Sequence, residues 1–161
     1  MQRATAFTLV ELILVMALLC VILGLAAPSL SRSIHQRNLT QEATRVLAAT
    51  EYARDEAVSL GVPMEVWIDA GAGKYGVKAM PGNEDAGARS KDFTLTEGVH
   101  FDAQKGSADA AGQTDVAEFT PDGTLDPSSA TSLRLVDRTE SAIDIAQTTD
   151  AWGYEIVKGT Q

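Results

Sequence analysis

Glu11 is the residue most in need of a chemical explanation. It is the one charged side chain in the run from Phe7 to Ala27, FTLVELILVMALLCVILGLAA, and a carboxylate near a bilayer core costs on the order of a few kcal/mol unless it finds a partner or a proton. Two readings follow. The side chain can snorkel toward headgroups from the start of a helix, helped by the positive end of the helix dipole, or it can pair with a cation in the membrane.

Other chemistry is sparse. The chain has one cysteine, Cys20, and two histidines, His35 and His100, so it can close no internal disulfide and lacks the Cys/His spacing of zinc or redox sites. GxSxG, HExxH and GxxxxGK[ST] are absent, which removes the usual tools of nucleophilic, metal and phosphate chemistry. We therefore expect no enzyme, no cofactor and no metal. Asp102, Asp109 and Asp115 lack the DxDxDG spacing of a calcium loop and read as solvated acids. His100 reads as a strand-edge or core residue. Trp67 and Trp152 read as core or sheet-face packing ahead of a recognition patch.

A net charge of -9 disfavours attraction to phosphate or anionic headgroups. Residues 121 to 161 carry only Arg134, Arg138 and Lys158 against Asp122, Asp126, Asp137, Glu140, Asp144, Asp150 and Glu155. DNA binding draws most of its nonspecific affinity from basic groups, so no nucleic acid partner is expected.

The elements that would position Glu11 start with a helix. The apolar run is long enough to cross a hydrocarbon core of about 30 Å. A cleaved secretory signal is the rival; its apolar core is shorter, and only Ala26-Ala27-Pro28 supports it. Pro28 removes a helical hydrogen bond and predicts a kink or local opening. Beyond it, Leu30, Ile34, Leu39, Ala43, Val46, Leu47, Ala53, Ala57 and Leu60 recur at helical spacing, predicting an amphipathic helix over 28–61 that ends at Gly61 and Pro63. Arg3 precedes the apolar run while Arg32 and Arg37 follow it, so a simple positive-inside count would place the C-terminal part in the cytoplasm.

After Gly61 the pattern shifts to short alternating runs, predicting strands at Met64–Asp69, Tyr75–Met80, Asp92–Leu95, Val116–Thr120, Ser132–Arg138 and Ala142–Gln147. Gly71 and Gly73 mark a hairpin, and Pro121-Asp122-Gly123 a tight turn. Pro81 to Lys91 and Ala103 to Thr114 read as long polar loops. The fold class is α+β, with a long helix packed on a mostly antiparallel sheet.

Ala6-Phe7-Thr8-Leu9-Val10-Glu11 resembles the class III signal of type IV pilins and pseudopilins. The resemblance implies a leader over 1–6, cleavage by a prepilin peptidase between Ala6 and Phe7, and N-methylation of Phe7. Ala6 stands where the family usually has Gly, and the leader carries only Arg3. The new Phe7 amine is a cation that Glu11 can pair with, in its own chain or a neighbour's; the family uses the second pairing for filament register. Pro28 also falls where the family often has proline. Tyr52–Val66, Glu118–Gly123, Leu133-Arg134-Leu135 and Ala142–Ile145 are similar to the helix end, turn and strand pair of the GspH/FimT group, although turn and core demands alone explain those strand residues.

The implied protein is a minor pseudopilin, a structural subunit of a type II secretion pseudopilus supporting export across the outer membrane. The alternative is a FimT-like minor type IV pilin involved in pilus assembly or DNA uptake. Either is expected as a single-pass bacterial inner-membrane protein, with a transmembrane helix over 7–27 and a periplasmic β-rich domain over 62–161. Its partners would be the prepilin peptidase and other major and minor pseudopilins.

Overall fold

The computed structural model describes residues 8–83, 87, 89–102 and 112–158, with the side chains of 24–35 and of 158 outside the described set. It divides into two units, Met1–His35 and Gln36–Gln161.

Among the described residues the element order is one helix followed by eight strands. Helix α1, Leu9–Leu60, is continuous across position 28. Its end follows from local chemistry: Gly61 takes the left-handed conformation at φ 67° and donates its N–H to Ala57 O at 2.9 Å, a cap that costs glycine no Cβ clash. Strands β1 (Met64–Asp69), β2 (Lys74–Ala79), β3 (Lys91–Thr94), β4 (Val99–Phe101), β5 (Thr114–Phe119), β6 (Ser132–Asp137), β7 (Ala142–Gln147) and β8 (Tyr154–Lys158) follow.

They form two antiparallel sheets where the sequence predicted one. The first runs β3-β2-β1-β5 and the second β4-β6-β7-β8. Two strands were not anticipated. β4 has only three residues, too few for alternation to register, and β8 follows Trp152-Gly153 as a short final run. The predicted loops are shorter than read, because Lys91 and Thr114 begin β3 and β5; positions 84–86, 88 and 103–111 lie outside the described residues.

The helix meets the sheets through small side chains. Leu39, Ala43, Val46, Ala49, Ala53 and Ala57 are buried with Met64, Val66, Ile68, Tyr75, Val77, Phe119, Leu133, Leu135 and Ile145. Alanines at three- and four-residue spacing let a sheet approach the helix backbone closely, and each fully buried large side chain contributes about 1.5–3 kcal/mol. Leu47 and Leu60, predicted on this stripe, are half-buried at its margin. Tyr75 joins the sheets, stacking on Phe93 of β3 at 5.2 Å and meeting Phe101 of β4 edge-on at 6.0 Å. On the opposite face of the first sheet, Trp67 lies across Gly76.

Candidate functional site

The start of α1 is built by Thr8. Its hydroxyl accepts the Glu11 N–H at 3.3 Å and its carbonyl accepts the Leu12 N–H at 3.2 Å. A threonine N-cap followed three residues later by glutamate satisfies one of the donors that every helix start leaves open. Glu11 thereby sits in the first turn, where the helix dipole favours an anion. Among the described residues its carboxylate makes no hydrogen bond or ion pair.

From Leu9 to Leu23 the exposed side chains cover every side of the helix, with Leu9 at 74% and Leu23 at 65%. Such a surface is stable only against lipid or other apolar helices. Among the described residues no helix is long and apolar enough to cross a membrane; the rest of the predicted 7–27 span, Phe7 and the side chains of 24–27, lies outside them. Ala6 and Phe7, the predicted cleavage pair, also lie outside. Pro28 is within α1 with its side chain outside, so Glu11 alone of the four predicted residues has a described side chain.

The remaining candidates are dispersed. His100 is exposed on β4, paired in register with Val136. Asp115 is in β5 rather than in a loop, held by Lys78 Nζ at 3.0 Å; Asp109 lies outside the described residues. Trp67 is buried, as expected of packing, but Trp152 is 53% exposed. The packing reading of Trp152 is therefore corrected: the ring stands at a surface groove. Among the described residues no three histidine, cysteine, aspartate or glutamate side chains are placed to hold a metal ion.

Two features escaped the sequence reading. The first is Glu42, fully buried on α1. Its carboxylate accepts from Tyr75 OH at 3.3 Å, Thr96 N at 3.3 Å and Thr96 Oγ1 at 2.6 Å, and is met by Arg45 at 3.0 Å. Burial and the adjacent Glu42 charge push the Tyr75 phenol up. The clue was present as an acid on the apolar stripe, directly before Ala43. The second is a row of carboxylates on the outer face of the first sheet. Glu65 is buried and opposes Glu118 on β5 and Lys78 on β2. Burial, reinforced by Asp115, pushes its carboxyl up, while Lys78 Nζ at 3.6 Å opposes the shift. Glu118 is likewise raised, by burial and then by Asp126 and Asp115.

A groove of about 200 Å³ opens beside α1, lined by Thr50, Glu51, Arg54 and Phe119 on one side and by Thr148, Asp150, Trp152, Gly153 and Tyr154 on the other. Tyr154 anchors it by donating to Ala130 O at 2.7 Å.

Comparison with known proteins places this architecture. The family model described as type II transport protein GspH matches residues 42–153. The crystal structure of the type IV minor pilin FimU from Pseudomonas aeruginosa superposes with a TM-score of 0.52 at 17% identity, covering 78% of this chain and 90% of that one; at that identity the likeness concerns the fold alone. No curated protein matches the chain in sequence.

Proposed function

The chain belongs to the GspH family of type II transport proteins, and on that premise we propose that it is a minor pseudopilin, a structural subunit of a type II secretion pseudopilus. The observation that carries the proposal is Glu11: a carboxylate with no partner among the described residues, one turn into a helix whose described surface to Leu23 is otherwise apolar. An unpaired charge in an apolar bundle is strongly destabilising, whereas a paired one fixes register. Glu11 takes its cation from the methylated Phe7 amine of a neighbouring subunit after a prepilin peptidase has cut between Ala6 and Phe7. The helix holds the subunit in the bacterial inner membrane before assembly, and the β domain contacts other pseudopilins in the periplasm. The role is assembly rather than catalysis.

Replacing Glu11 by leucine tests this. The variant is expected to fold and to remain in the membrane while its recovery in sheared pseudopilus fractions falls at least about tenfold. Normal incorporation would sink the register role. Co-purification with type IV pilus subunits in place of type II components would select the alternative, a minor type IV pilin. For the DNA-uptake form of that alternative, the acidic surplus over 121–161 predicts no salt-sensitive gel shift.

A further inference from the structure

We propose that the groove between α1 and the β7–β8 loop docks a segment of another filament subunit in which a lysine or arginine stands beside an apolar side chain. The inference rests on the filament reading above and adds to it the place and the chemistry of one contact.

An exposed aromatic ring stands at this groove. In the Gln36–Gln161 unit the large exposed hydrophobics among the described residues are Val58, Trp152 and Val157, and Trp152 lines the groove directly. Val58 lies one turn beyond Arg54, and both pack against the Gly123 turn. Exposed aromatic rings are enriched at protein contacts.

Trp152 is also held outward by a rigid turn. Its N–H donates to Asp150 Oδ1 at 3.3 Å, Ala151 N donates to Thr148 O at 3.0 Å, and Thr148 N donates to Gly153 O at 2.8 Å. Ala151 accepts from Leu125 N at 3.0 Å and adopts φ 57°, a left-handed conformation that costs a residue with a Cβ about 1 kcal/mol or more.

Volume and charge then define the occupant. At about 200 Å³ the groove is below the roughly 300–1,000 Å³ typical of small-molecule sites, and suits a single long side chain. Glu51 is exposed and makes no hydrogen bond or ion pair among the described residues, while Arg54 is already engaged by Asp55 at 3.2 Å. With Asp150 on the far rim, the lining favours a cation, and an indole face adds attraction for a guanidinium or ammonium group. A second copy of this chain, itself at -9, is a poor source of that cation.

The test is site-directed photocrosslinking of the full chain in cells assembling their filaments. With Trp152→p-benzoylphenylalanine, the expected product joins position 152 to another pilin-like subunit, at a peptide carrying lysine or arginine within a few residues. Adding Glu51→Lys is expected to lower the yield at least about tenfold, with the melting temperature unchanged because position 51 is exposed. Trp152→Ala, which needs no crosslinker, should reduce filament recovery without altering the melt. A crosslink to a second copy, to lipid or to an acidic peptide, a yield indifferent to Glu51→Lys, or no crosslink would each overturn the inference. A parallel crosslinker at Leu14 separates the two levels: subunit crosslinks from Leu14 alone leave the filament reading standing, and their absence at both positions defeats that reading too.

Discussion

Glu42 of α1 accepts a 2.6 Å hydrogen bond from the hydroxyl of Thr96, which lies 54 positions later in the chain. The same carboxylate holds Tyr75 OH on β2, so one buried acid ties the helix to the first sheet and to the connection between β3 and β4. Removing it would leave the buried Tyr75 phenol without this acceptor and would free the part-buried Thr96 N–H and hydroxyl.

Glu42→Ala is therefore expected to lower stability by about 3–5 kcal/mol, the usual consequence of breaking a buried charged network from one side. Glu42→Gln, which keeps one acceptor oxygen, should lose less. Urea unfolding of the full chain in detergent measures both, and a loss below about 1 kcal/mol for the alanine variant would show that the network is dispensable.

A second prediction concerns Gly76. A Cβ there would stand 2.5 Å from Lys91 O and 2.6 Å from the Trp67 ring. Backbone cannot yield as a flexible side chain does, so Gly76→Ala should cost about 1–3 kcal/mol. Gly153→Ala, with nothing within 4 Å of its would-be Cβ, should be close to neutral. Equal melting temperatures for the two variants would contradict this packing.

The carboxylates of the first sheet set a pH dependence. Glu65 and Glu118 are raised above the ordinary glutamate value of 4.5, so the folded chain binds more protons than the unfolded chain just above that value. Stability from these two groups is fully present below 4.5 and is lost as pH rises through their folded values. Asp144, lowered by Arg134, and Asp122, lowered to about 2 by the Thr120 and Thr124 hydroxyls, act oppositely: their contribution is lost as pH falls below the ordinary aspartate range. Melting temperature should thus rise as pH falls toward 4.5 through the folded values of Glu65 and Glu118, and fall at stronger acid. Glu65→Gln should flatten the rise, and an unchanged slope would assign it elsewhere.

How far the sequence carried the fold can be judged from these residues. Gly61 and the alanine stripe were legible because helix ends and helical periodicity are local properties. The division into two sheets was not, since β4 and β8 acquire their meaning only from partners far along the chain, such as Leu135 opposite Phe101 and Ile145 opposite Ile156. Glu11 was legible because a charge in an apolar run is anomalous on its face. Glu42 was not, as an acid on an amphipathic helix ordinarily faces water, and it is the Tyr75 and Thr96 donors, together with the Arg45 cation, that make its burial tolerable. Trp152 was misread for a related reason: composition cannot reveal that the β7–β8 turn holds the indole outward.

Assembly through Glu11 depends first of all on where the mature chain begins. The full chain would be expressed with and without a prepilin peptidase, and its first residue determined by intact mass and peptide sequencing. N-methylated Phe7 is expected only when the peptidase is present, leaving Glu11 one helical turn from the new amine. An intact Met1 under both conditions, or a start near Ser29, would contradict that expectation.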